Sequence, residues 1–228
     1  MREERKRFSL PASAAGAIWR AGWWIGRRVR RFQTKALTEE QLKTPLIRVG
    51  STRAGGGGRT TVTAALAEVA SRQGKKVALL SYHFRPAFFY CSMQRVDPSK
   101  GWRRWSDDAL ILAEQKGDLF FSNDYFFAWR ELSKSGEYDL IIADGGLEDV
   151  RLDESHTLLL EVAGGNRPER WSDLLPFGEH RSFIGDHSHG KWAHLILHAT
   201  SPQQQNRTLS SLEQLLDSLA QREEPLWR

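Results

Sequence analysis

The chain has 228 residues, enough for one α/β domain with a real core plus an appendage. Its 33 Lys and Arg outnumber 28 Asp and Glu, and the excess sits in residues 1–31, which points to a local anionic partner rather than a uniformly basic surface. One cysteine, Cys91, excludes an internal disulfide framework and fits a reducing compartment.

Taken in order, Met1 to Arg7 is charged, and residues 8–32 mix small, aromatic and basic residues. A membrane-spanning helix needs about 20 mostly apolar residues. Arg20 interrupts this run, and Arg27, Arg28, Arg30 and Arg31 close it. The same arginines count against a secretory signal peptide. A helix lying in a membrane interface fits better: Trp19, Trp23, Trp24 and Ile25 bury while Arg meets anionic headgroups. Packing of the Trp face on the domain is the alternative. Nucleic-acid binding is disfavoured, since no recognised module accompanies the basic run. Residues 34–44 read as a polar linker, with Thr38 and Gln41 as a capping box. The expected division is residues 1–44, a basic amphipathic membrane-interfacial segment and linker, and residues 45–228, an α/β domain.

From residue 45 onward, apolar runs alternate with helix-periodic ones. Strands are expected at Leu46–Val49, Lys76–Ser81, Leu119–Phe121, Asp139–Ala143, Thr157–Val162 and His194–His198. Helices are expected over 59–73, 106–116 and 124–134, with Ser106 and Asn123 as N-caps, and a last amphipathic helix at about 203–222. This alternation predicts βαβ units and a mostly parallel sheet with flanking helices. Between the first strand and first helix lies Gly50-Ser51-Thr52-Arg53-Ala54-Gly55-Gly56-Gly57-Gly58-Arg59-Thr60-Thr61. A strand, a glycine loop and a helix N-terminus form a cradle for phosphate, with backbone N–H groups turned inward. Arg59 stands where a P-loop has its Lys, and Thr60 where it has its Ser or Thr. Gly55, Gly56, Gly57, Gly58, Arg59, Thr60 and Thr61 are thus the candidate nucleotide-binding residues. Asp144 closes an apolar strand, and beside such a loop that is the place of a Mg²⁺-holding carboxylate. Taken alone it reads better as a turn or helix-cap aspartate; paired with the glycine loop, the Mg²⁺ reading is the better one. Five histidines, His180, His187, His189, His194 and His198, are dense but lack a completing ligand set, so a solvated loop is expected there. Phe88-Phe89-Tyr90, Phe120-Phe121 and Phe126-Phe127 fit an acyl-chain surface or a core.

Four stretches in register resemble the tetraacyldisaccharide 4′-kinase (lipid A 4′-kinase) family. Gly50 to Thr60 is similar to its GNxxxGGTGKT loop. Ser106-Asp107-Asp108-Ala109-Leu110-Ile111-Leu112-Ala113 looks like its GDEPLLLA. Asp139 to Glu148 looks like DVIISDDGLQ and is followed by Arg151-Leu152. Gly165-Asn166-Arg167, then Leu174 to Arg181, is similar to GNGRLLPAGPLR with an insertion. The N-terminus resembles the family's membrane-associated helix.

This resemblance implies a P-loop NTPase-like fold and ATP-dependent phosphorylation of the 4′-hydroxyl of a lipid A disaccharide precursor, at the cytoplasmic face of the inner membrane. It implies Asp107 as the base accepting the hydroxyl proton and Arg59 as the cation on the phosphates. It implies Thr60, Asp108 and Asp144 around Mg²⁺. Without the resemblance, Asp107 and Asp108 read as a helix first turn that favours negative charge.

The chain also departs from that pattern. Arg59 replaces Lys, Gly145 replaces the second Asp of DDG, and Glu148-Asp149 replaces Gln-His. The family's RGYGG is not recognisable at Ser81-Tyr82-His83-Phe84-Arg85-Pro86. The family's C-terminal lobe is expected to be missing, reduced to the 203–222 helix, or supplied by a partner protein. Two readings follow: a diverged, compact lipid A 4′-kinase, or a catalytically impaired homologue that binds nucleotide or lipid at a membrane. A membrane-partitioning P-loop ATPase is disfavoured, because that type keeps the Lys.

Overall fold

The computed structural model describes residues 14–15, 17–22, 24–25, 42–53, 57–82, 93–100, 107–115, 117–147, 149–152, 156–162, 173–175, 180 and 191–197. Their strands are β1 (Leu46–Ser51), β2 (Val77–Ser81), β3 (Met93–Arg95), β4 (Asp118–Ser122), β5 (Leu140–Asp144), β6 (His156–Val162) and β7 (Lys191–Leu197). The longer helices are α1 (Arg59–Arg72), α2 (Asp107–Ala113) and α3 (Tyr125–Ser135). The strands form one sheet in the order β3-β4-β2-β5-β1-β6-β7. All neighbours are parallel except β3, which runs antiparallel to β4. The expected fold class is therefore present: a mostly parallel, P-loop NTPase-like sheet with flanking helices.

The strands were legible because they are apolar on both faces, as parallel strands covered by helices must be. Alternate residues divide between two cores. Ile47, Val49, Leu79, Ile142 and Leu158 face Val62, Leu66, Val69, Ala109 and Leu112 of α1 and α2. Leu46, Ala78, Leu80, Ile141 and Ala143 face Phe126, Trp129 and Leu132 of α3. Trp129 is fully buried, and its Nε1 donates to the carbonyl of Thr44 at 2.8 Å. Phe120, Phe121 and Phe126 are buried too, so they build the cores rather than an acyl-chain surface.

Two expectations need correction. The α3 N-cap is Asp124, not Asn123: its carboxylate accepts from the Phe127 N–H at 2.9 Å. Strand β3 was not foreseen, being three partly exposed residues, Met93-Gln94-Arg95, at a sheet edge. The 203–222 helix, the 38–41 capping box, Ser106, Cys91, His187, His189 and His198 lie outside the described residues. Residues 14–15, 17–22 and 24–25 are helical. Among the described residues, no helix is long and apolar enough to cross a membrane.

From β1 the chain crosses to β2 on one side, whereas β6 and β7 lie on the other. The carboxyl ends of β1 and β5 flank this switch point, the place where open α/β sheets form a crevice for ligands. The glycine loop and Asp144 both emerge there.

Candidate active site

Gly58 ends the loop at φ 71°, a left-handed conformation that glycine takes without strain. Its carbonyl accepts from the Val62 N–H at 3.0 Å, closing the first turn of α1. The N-cap Gly58 offers no side-chain cap, and no acidic residue stands in the first turn. The positive end of the helix favours an anion there.

Thr60, in that first turn, donates its hydroxyl to Asp144 Oδ2 at 2.8 Å. Asp144 is buried, and its Oδ1 has no hydrogen-bond partner. The Arg59 Nε stands 3.9 Å from that oxygen. Burial pushes the Asp144 carboxyl above the ordinary carboxylate range. Arg59 and the Thr60 hydrogen bond pull it back, and the charge of Asp108 adds to the upward push.

The turn after β5 is braced from three directions. Tyr125, at the start of α3, donates its hydroxyl to the Asp144 carbonyl at 2.7 Å. Gly145 and Gly146 take φ 114° and 80°. Arg48 of β1 is buried and donates through Nη1 to the carbonyls of Asp149, at 3.2 Å, and Gly146, at 3.4 Å. Its Nε donates to Thr157 Oγ1 on β6 at 2.5 Å. Arg151 forks onto Asp124 with two hydrogen bonds of 2.9 Å and also donates to Asp149 Oδ2 at 2.6 Å. Burial opposes the Arg151 charge, yet its bonds to Asp149 and Asp124 hold it above the usual guanidinium range. Tyr125, Arg48 and Arg151 were not candidates from sequence. The one local signal was Arg48, a charge inside an apolar strand.

On the loop's other side, Thr52 Oγ1 lies 3.1 Å from His180 Nδ1, and both residues are buried. His180 bridges to Arg53 and to Leu174. Among the described residues no group of His, Cys, Asp and Glu is arranged to hold a metal ion by itself.

The family described as Tetraacyldisaccharide-1-P 4'-kinase matches residues 15–225, nearly the whole chain. The chain belongs to the tetraacyldisaccharide 4′-kinase family. It is 30% identical over 156 residues to the tetraacyldisaccharide 4′-kinase of Acidithiobacillus ferrooxidans, covering 66% of this chain and 45% of that one. It is 31% identical over 173 residues to that of Sinorhizobium fredii, covering 75% and 48%. The chain thus spans about half the length of the curated relatives it matches. The crystal structure of the apo form of LpxK from Aquifex aeolicus in complex with ATP shares the fold. Its TM-score is 0.51 at 19% identity, covering 75% of this chain and 55% of that one.

Within this 4′-kinase fold, the first, third and fourth resembling stretches converge. Thr60 and Asp144 are in contact, and His180 of the fourth lies against Thr52 of the first. Asp107 is the first residue of α2, which packs beside α1 through Ala109 and Leu112. Asp108 is exposed and reaches Asp144 only through space. Thr61 is exposed on the first turn of α1. Gly57 is buried, and Gly55 and Gly56 lie outside the described residues. The Thr60 hydroxyl and the Asp144 carboxylate, with one buried oxygen lacking a hydrogen bond, form an oxygen donor set that fits Mg²⁺.

Proposed function

We propose that this chain transfers the γ-phosphoryl group of ATP to the 4′-hydroxyl of a lipid A disaccharide precursor. One observation supports the reading most: in a member of this family, the Thr60 hydroxyl meets Asp144 at the mouth of a glycine loop that leads into a helix N-terminus with a glycine N-cap. Phosphoryl transfer calls for positioning and charge neutralisation more than covalent chemistry. Gly57, Gly58 and the N-terminus of α1 would seat the phosphates, with Arg59 adding a cation. Thr60 and Asp144 would hold Mg²⁺, with Asp108 as a more distant negative charge. That ion supplies charge neutralisation at the phosphate oxygens when bound. Asp107 would accept the proton of the attacking hydroxyl. The exposed Ile18, Trp19, Trp24 and Ile25 support seating of residues 10–32 on the cytoplasmic face of the inner membrane, where a lipid acceptor lies.

The test is transfer of radiolabelled phosphate from ATP to a tetraacyldisaccharide 1-phosphate in mixed micelles. The native chain is expected to label the acceptor, and Asp107→Ala to lose about 100-fold or more of that rate. ATP binding without transfer, unchanged by Asp107→Ala, would favour the catalytically impaired homologue instead.

A further inference from the structure

Asp144 uses its two oxygens differently. Oδ2 takes the Thr60 hydroxyl, while Oδ1 is buried without a hydrogen bond. The cation beside Oδ1 is Arg59, with Nε at 3.9 Å. The rest of that guanidinium lies over the next residue. A Cβ placed on Gly145 would stand 3.2 Å from Arg59 Nη1 and 3.5 Å from the Tyr125 hydroxyl. Such a contact is tighter than carbon and nitrogen normally accept, and the φ of 114° already disfavours any side chain there. Gly145 therefore leaves open the space that the guanidinium fills. The side chain of Arg59 lies along the Asp144–Gly145 step, beside the Thr60–Asp144 contact. A guanidinium keeps its charge and offers parallel N–H donors that suit phosphate oxygens.

We propose that Arg59, given room by Gly145, is a built-in counter-charge at the metal side of this site, so that the loop binds a nucleoside triphosphate with little dependence on a divalent cation. This rests on the nucleotide reading of the loop. It adds that the work usually shared by a Lys and a metal–carboxylate cluster is partly carried by one guanidinium. Arg59 is 28% exposed in its side chain, so a bound phosphate can reach it from solvent.

The experiment is ATP binding by titration calorimetry on the full chain, in excess MgCl2 and again in EDTA. The native chain is expected to change its Kd by less than about threefold between the two buffers. Arg59→Gln is expected to bind in MgCl2 and to weaken by more than about tenfold in EDTA. Gly145→Ala, whose methyl group crowds the guanidinium at 3.2 Å, should weaken binding in EDTA in the same direction but by less than Arg59→Gln. If Gly145→Ala does not fold, the comparison of the native chain with Arg59→Gln still decides. Native binding that needs MgCl2, or an equal response of native and Arg59→Gln, overturns the inference and leaves the kinase reading standing. No ATP binding in either buffer overturns both.

Discussion

A buried carboxylate with one oxygen lacking a hydrogen bond destabilises the ligand-free fold. Asp144 is in that position, and its folded-state pKa lies above its ordinary value. The sign follows from proton linkage. Between the ordinary value and the raised one, the folded chain holds a proton that the unfolded chain has lost. The contribution of Asp144 therefore falls as pH rises through that window, and the full penalty is present above it. Asp144→Asn keeps an acceptor for Thr60 and removes the charge. Its melting temperature without ligand should exceed that of the native chain at neutral pH, and the gap should close as pH falls through that window to the ordinary carboxylate value. Scanning calorimetry across pH checks this, and phosphotransfer by the variant should be lost. Thr60→Val takes away the donor to Oδ2 and leaves a second oxygen without a partner. It should lower unfolding free energy by about 1–2 kcal/mol in urea titrations, and Thr60→Ser should not. Both carboxylate and hydroxyl were legible in the sequence, because a loop hydroxyl and a strand-end acid are local patterns. Tyr125 was not, since its hydrogen bond to the Asp144 carbonyl depends on how α3 docks on the sheet.

At the level of elements, the same docking fixes the turn after β5. Asp124 both caps α3 and receives the Arg151 fork, so helix, turn and short helical segment Val150–Leu152 share one carboxylate. Asp124→Ala should cost about 1–2 kcal/mol for the cap. It also deprives a half-buried guanidinium of one of its two acid partners. Arg151→Met should destabilise as well, and the double variant should lose less than the two single losses added together. Urea unfolding of the four proteins measures this; strict additivity would show that the fork does not couple α3 to the turn. Why Asp124 rather than Asn123 caps the helix was invisible locally, because both are good N-cap residues. Arg151, 27 residues away in sequence, supplies the discriminating contact. Strands β1, β2, β4 and β5 were legible for the opposite reason. Their apolar runs answer to two cores at once, so sequence pattern and tertiary demand agree.

At the scale of the whole molecule, the sheet order brings three separated stretches to one mouth, and four ordered resemblances had already tied those stretches to a single family. What the sequence could not convey is which departures belong together. Arg59 and Gly145 are 86 positions apart and meet only in the fold. The N-terminal segment bears on how the proposed site would meet a lipid acceptor. Ile18 is 62% exposed, Trp24 53% and Ile25 58%, although these are the residue types a folded chain normally covers. None of them belongs to either core. The nearby Arg27, Arg28, Arg30 and Arg31 add attraction to an anionic surface that salt screens. Flotation with phosphatidylglycerol-containing vesicles should therefore carry the chain upward, and pure phosphatidylcholine vesicles should carry much less. Raising salt should weaken the anionic binding without removing it, because burial of Trp and Ile is not screened. Trp19→Ala with Trp24→Ala should lower vesicle binding by about tenfold or more, since each large side chain contributes roughly 1.5–3 kcal/mol on burial. Equal flotation with both lipids, or binding indifferent to the two tryptophans, would sink the interfacial seat and return the segment to packing on the domain.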